Sequence, residues 1–153
     1  TAGTIDSLED ISMLTGLKRL DVIMQNISDL SPLSGLPIEE LNLAGNSVED
    51  LSPLAGLSGL KSLCMDGNPV DEISVLSSLE NLEMLSLSET KVSDLSPLSG
   101  LSGLLYLYIN NADIEDVSPI SGLHLINCFL KNNRIEDFSS LTNIENLETE
   151  GNP

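Results

Sequence analysis

Tryptophan is absent, and two tyrosines and two phenylalanines bring aromatic residues to only 3% of the 153-residue chain. A core must therefore be built from aliphatic side chains; apolar residues reach 41%, leucine above all. That content excludes a disordered acidic tail, which lacks the apolar surface needed to offset chain entropy. Positive charge is equally scarce, with 6 Lys and Arg against 24 Asp and Glu and a net charge of -18. So few scattered cations cannot replace the counterions of a phosphate backbone, so no nucleic-acid partner is expected. Anionic membrane surfaces are disfavoured for the same reason. No apolar run approaches the roughly 20 residues of a bilayer-spanning helix, so no membrane insertion is expected. Two cysteines and one histidine leave little material for metal or nucleophilic chemistry. His-Glu-x-x-His, Walker A, Gly-x-Ser-x-Gly and Cys-x-x-Cys patterns are missing as well. The chain is read as non-enzymatic, with no catalytic residue, cofactor or metal ligand. Its opening, Thr1-Ala2-Gly3, fits a processed chain or an excised segment.

What the sequence has is internal repetition. Leu60-Lys-Ser-Leu63-Cys-Met65-Asp-Gly-Asn68-Pro-Val70 aligns with Leu82-Glu-Met-Leu85-Ser-Leu87-Ser-Glu-Thr90-Lys-Val92 and with Leu104-Leu-Tyr-Leu107-Tyr-Ile109-Asn-Asn-Ala112-Asp-Ile114. Further copies begin at Leu17, Ile38 and Leu125, so the starts at 17, 38, 60, 82, 104 and 125 are spaced by 21, 22, 22, 22 and 21 residues. The alternating centre of each copy predicts a short strand. Strands of successive turns would pair in parallel, about 4.8 Å apart. An Asn column (Asn46, Asn68, Asn133) falls where the chain leaves the strand, and a buried amide there can satisfy unpaired backbone groups. Gln25, Thr90 and Ala112 break that column, so the ladder should be weaker at those turns. The return leg opens with a capping acid and an early Pro. Leucines then follow at a spacing of three, as in Leu51, Leu54, Leu57 and Leu60, which fits a short 3₁₀ or helical stretch. Ile5, Leu8, Ile11, Leu14 and Leu17 form a return leg with no strand before it. At the other end Leu147 fits either of two core positions, one of which would bury Glu150. The whole of 1–153 is expected to be one domain, with a partial first repeat at 1–16 and a truncated last one at 144–153.

Asp-Leu-Ser-Pro-Leu recurs at 29–33, 50–54 and 94–98, with Asp116-Val-Ser-Pro-Ile120 as a variant. Together with the 22-residue period, this phrase resembles the return leg of bacterial internalin-like leucine-rich repeat domains, and the resemblance covers nearly the whole chain. It implies an α/β solenoid, a curved stack with a parallel sheet on its concave face and 3₁₀ or helical return legs on its convex face. It also implies recognition of a partner protein, often on the concave face, as part of a larger bacterial surface or secreted protein. Two alternatives stay open: a spacer that presents other domains, and an intracellular scaffold like the phosphatase-regulating leucine-rich repeat proteins of eukaryotes. A monomer is expected.

The outward strand positions point to a site. One column reads Arg19, Glu40, Ser62, Met84, Tyr106, Asn127; the next reads Asp21, Asn42, Cys64, Ser86, Tyr108, Phe129. Both tyrosines and one of the two phenylalanines thus face outward on adjacent turns, whereas Phe138 fits the buried ladder. Rigid amphipathic side chains of this kind anchor protein interfaces. Met84, Ser86, Tyr106, Tyr108, Asn127, Phe129 and Lys131 are therefore the candidate partner-binding residues. The acids that recur at the start of each return leg (Asp29, Asp50, Asp94, Asp116, Asp137 and neighbours) read as solvated caps. No Asp-x-Asp-x-Asp-Gly loop is present to gather calcium. Ile23 and Met24 form a smaller outward apolar pair, and His124 falls on a surface turn. Asn26-Ile27-Ser28 matches a glycosylation triplet. Cys128 replaces an inward leucine, while Cys64 points outward three turns away. Strand spacing separates the two by about 15 Å. A disulfide needs Cα atoms within about 7 Å, so none is expected.

Overall fold

The computed structural model describes residues 7–153; Ile5 of the first return leg lies outside them. Seven three-residue strands pair in chain order as one open, curved, all-parallel sheet. They are β1 (Arg19–Asp21), β2 (Glu40–Asn42), β3 (Ser62–Cys64), β4 (Met84–Ser86), β5 (Tyr106–Tyr108), β6 (Asn127–Phe129) and β7 (Asn146–Glu148). The register sets like on like: Leu20, Leu41, Leu63, Leu85, Leu107, Cys128 and Leu147 form one inward column. Parallel neighbours need a long crossover, and the return leg provides it.

The crossovers from β1 to β6 each carry a 3₁₀ turn, at Ser31–Leu33, Ser52–Gly56, Ser74–Ser78, Ser96–Leu98 and Ser118–Ile120; another, Glu9–Met13, precedes β1, and the β6–β7 connection has none. Pro32, Pro53, Pro97 and Pro119 occupy the first or second position, where no backbone N–H is needed. The cap position itself is apolar in every turn. The acid stands one residue earlier and accepts the N–H of the first helical serine. Asp29, Asp50, Asp94 and Asp116 each receive a backbone N–H at 2.8 Å, from Ser31, Ser52, Ser96 and Ser118. Glu72 does the same for Ser74 at 2.8 Å. The bonds from Ser31, Ser52 and Ser139 hold Asp29, Asp50 and Asp137 below the ordinary carboxylate range, first through the backbone N–H and then through the hydroxyl. At Asp94 the Ser96 hydroxyl is the larger cause.

The apolar columns are sealed from Ile27 to Ile135 and open toward the ends. Leu14, aligned with the return-leg ladder, is 52% exposed. Ile11, Leu17 and Phe138 pack against the core while only partly buried. At the other end, pairing sets Leu147 opposite Cys128, which leaves Glu150 exposed rather than buried. The two 21-residue turns lose their residue between the 3₁₀ turn and the following strand, at Leu36-Pro37-Ile38 and Leu123-His124-Leu125. Strand register is unchanged across both.

The asparagine column ties each turn to the one before. Asn68 donates to Leu43 O at 2.8 Å and Met65 O at 2.9 Å, and accepts from Val48 N at 3.0 Å. Asn46 bridges Val22 O, Leu43 O and Ile27 N, and Asn133 bridges Ile109 O, Leu130 O and Ile114 N. Asn152 continues the pattern with Leu130 O and Ile135 N. Thr90 donates only within its own turn, to Leu87 O at 2.6 Å, and Ala112 has nothing to donate. One position before this column the chain turns left-handed in every repeat, at Met24, Gly45, Gly67, Glu89, Asn111, Asn132 and Gly151. At Gly45 the need is also steric, since a Cβ there would lie 2.8 Å from Met24 Cγ. At Met24 and Glu89 the same geometry costs about 1–2 kcal/mol.

Two outcomes follow from these contacts. Asn68→Ala strands the buried Val48 N–H, while Leu43 O keeps the Asn46 amide and Met65 O keeps the backbone N–H of residue 68, so it should destabilise by about 1–3 kcal/mol in urea unfolding followed by far-UV circular dichroism. Thr90→Ala should cost about 1 kcal/mol, since it removes a single bond. Stability also depends on acid. Asp29, Asp50, Asp94 and Asp137 sit below the ordinary value of 3.8, so their contribution is full above that value and disappears as pH falls through their lower, folded-state values. Thermal melts should show this acid loss flattened in a variant with all of these aspartates changed to Asn.

Candidate concave binding face

Alternation along each short strand sends its first and third residues to the concave face, and parallel register lines them up across turns. The first column therefore runs Arg19, Glu40, Ser62, Met84, Tyr106, Asn127, Asn146, and the second runs Asp21, Asn42, Cys64, Ser86, Tyr108, Phe129, Glu148. A third column lies just beyond the strands: Asp66, Ser88, Asn110, Lys131, Glu150.

The structure gathers Met84, Tyr106, Tyr108, Asn127 and Phe129 into one half-buried block on β4–β6. Tyr108 and Phe129 meet edge to face, their ring centroids 5.1 Å apart and their planes at 75°. The Asn127 amide donates to the Tyr108 hydroxyl at 3.3 Å and accepts from Asn146 at 3.0 Å. This chain of contacts orients the tyrosine before any partner arrives. Ser86 is different: at 7% exposure it is buried, and its hydroxyl donates to Asp66 at 2.6 Å. Outward direction on the strand does not expose it, because Asp66 covers it.

Lys131 is also committed. Its ammonium pairs with Glu148 and, at 3.3 Å, with Glu150, and these bonds raise its pKa, the one to Glu148 most. At the opposite end Arg19 lies 2.8 Å from both Asp21 and Glu40. Beside the strands, Lys18 and Lys61 share Glu39, at 2.8 Å and 3.3 Å. Hydrogen bonds from Lys18 first and Lys61 second lower the Glu39 pKa. Between the charged end and Met84 a shallow groove is lined by Asp21, Glu40, Asn42, Ser62 and Cys64.

The sequence reading missed the role of Asp66. Its Oδ1 accepts the Ser86 hydroxyl at 2.6 Å and the Ser88 N–H at 2.8 Å. Ser88 Oγ then accepts Asn110 N–H at 3.1 Å, and Asn110 Oδ1 accepts Lys131 N–H at 2.9 Å. The signal was a polar column in register with Lys131. Among the described residues, no group of His, Cys, Asp and Glu is arranged to hold a metal ion. His124 is exposed, as are Ile23 at 43% and Met24 at 76%.

Comparison with known proteins agrees with this geometry. Residues 38–78 and 80–123 each match the family model described as Leucine Rich repeats (2 copies). The chain belongs to the leucine-rich repeat family. Within that family it is a bacterial internalin-like domain. It is 34% identical to an internalin (InlF) of Listeria monocytogenes, with a TM-score of 0.93 over 98% of this chain and 46% of that one. It is 35% identical to internalin C2 of the same organism, with a TM-score of 0.78 over 95% of this chain and 76% of that one. The chain thus spans less than half the length of the first of these internalins. The ectodomain of the plant receptor kinase GASSHO1/SCHENGEN3 from Arabidopsis thaliana shares the fold alone, at 17% identity and a TM-score of 0.81, over 96% of this chain and 20% of that one. No curated protein sequence matches the chain. Leucine-rich repeats commonly serve as protein-interaction modules, and no helix among the described residues is long and apolar enough to cross a membrane.

Both cysteines are free thiols. Burial pushes Cys128 up to about 12, and burial is also the largest cause raising half-buried Cys64. Titration with a thiol-specific reagent at pH 8 should modify Cys64 slowly in the folded protein and Cys128 only after urea is added.

Proposed function

We propose that this chain is a single, monomeric, non-catalytic domain that binds a partner protein through its concave sheet, with Tyr106, Tyr108, Phe129 and Met84 as anchors. The observation that carries this reading is the concentration of both tyrosines and one of two phenylalanines on adjacent turns of one face, in a chain with no Trp. The Tyr108 and Phe129 rings are already oriented by Asn127 and by their edge-to-face contact, so docking would bury them with little loss of side-chain freedom. Likeness to two Listeria internalins supports a role within a larger bacterial surface or secreted protein.

The test is a matched capture experiment. The chain and its Tyr106→Ser/Tyr108→Ser variant, both shown to fold by circular dichroism, are immobilised and exposed to the same cell extracts. A protein held by the first should be lost by the second, since each interface anchor contributes about 2 kcal/mol or more. Equal capture by both, or none by either, would instead favour a spacer.

A further inference from the structure

The partner's chemistry can be read from the ring of charge around the aromatic block. Each cation on or beside the concave face is already paired: Arg19 with Asp21 and Glu40, Lys18 and Lys61 with Glu39, Lys131 with Glu148 and Glu150. Arg134 pairs elsewhere, with Asp113 at 2.8 Å. Lys131 faces two carboxylates, so the concave columns keep unmatched negative charge at the β7 end, whereas at the β1 end Lys18, Arg19 and Lys61 are matched by Glu39, Asp21 and Glu40. Asp66 adds to it on the near side of the block: its carboxylate takes hydrogen bonds from the Ser86 hydroxyl, the Ser88 N–H and the Cys64 thiol, but among the described residues no cation pairs with it.

The rings therefore lie between carboxylates, with Asp66 on β3's side and Glu148 on β7. Four strand spacings separate these two acids, about 19 Å. A partner carboxylate brought here would find no unpaired cation and would be repelled. A partner cation would meet Asp66, which no cation pairs, or the two carboxylates of Glu148 and Glu150 that share the one charge of Lys131, with tyrosine and phenylalanine rings alongside for cation–π contact.

We infer that the concave face recognises a basic partner segment: apolar side chains seated on Tyr106, Tyr108, Phe129 and Met84, flanked by Lys or Arg directed at Asp66 and at the Glu148 and Glu150 carboxylates that share Lys131. This rests on the concave-face reading above and adds the sign and placement of the partner's charge. The long-range field of a chain with net charge -18 would speed the encounter.

The two tyrosines make the test direct. With no Trp in the chain and both tyrosines in the block, intrinsic tyrosine fluorescence reports on this face alone. The probes are acetylated, amidated peptides: Gly-Lys-Lys-Leu-Leu-Lys-Lys-Gly, its Glu-for-Lys counterpart, and Gly-Lys-Lys-Gly-Gly-Lys-Lys-Gly. When extended, the outer lysines of the first stand about 17 Å apart. In about 0.15 M salt, that peptide should change the tyrosine signal saturably and more tightly than either of the others. Asp66→Asn and Glu148→Gln should each weaken it about two- to fivefold. Glu49→Gln/Glu136→Gln, which removes charge from the return legs, should leave it unchanged.

Tighter binding of the acidic peptide, lost in Tyr106→Ser/Tyr108→Ser by calorimetry, would keep the aromatic face and overturn the basic partner. Equal weakening by the return-leg pair would reduce the effect to bulk charge and overturn it too. So would the absence of a saturable signal with every peptide. Calorimetric binding of the basic peptide that survives loss of both tyrosines would overturn the concave-face reading itself.

Discussion

A leucine in this molecule is buried by its counterpart one turn away. Leu63 lies between Leu41 and Leu85, and Leu85 between Leu63 and Leu107, so the core is a set of columns rather than a centre. That arrangement demands strict register. A one-residue slip in any strand would turn its leucine outward and bring a serine, tyrosine or acid into the column. Nearest-neighbour burial also explains the gradient along the stack, with full closure in the middle and Leu14 and Leu147 partly open at the ends.

Two hydrogen-bond ladders hold that register, and they exchange roles along the chain. Asn46, Asn68, Asn133 and Asn152 stitch neighbouring turns from within. Where Thr90 and Ala112 interrupt this inner ladder, a second one runs on the concave side from Asp66 through Ser88 and Asn110 to the backbone of Lys131. The turns that carry the tyrosines are thus braced from the concave surface. Support for the fold and the candidate site share the same few polar groups.

The period, the strand positions, the inward column and the solenoid were legible because each recurs in several copies, and one copy checks another. The acidic caps were legible as a feature but were displaced by one residue, since a leucine occupies the cap position and the carboxylate reaches past it to the serine N–H. Ser86 shows the limit of alternation: pointing outward is a property of the strand, whereas exposure depends on Asp66 on the neighbouring turn. The commitment of Lys131 was hidden by the ambiguous last repeat. Only the pairing of Leu147 with Cys128 brings Glu148 and Glu150 within its reach. The Asn127–Tyr108 contact depends on side-chain geometry that no column of letters contains.

The two 21-residue turns carry a consequence for how such a domain can change over time. Each omits a residue between the 3₁₀ segment and the next strand, and the strands on both sides keep their partners. Length variation at the back of the molecule is absorbed before it reaches the front. Residues can enter or leave that connection without moving a tyrosine relative to a methionine or an acid. The concave face can then diversify one side chain at a time, insulated from insertions and deletions that would scramble a surface made of loops.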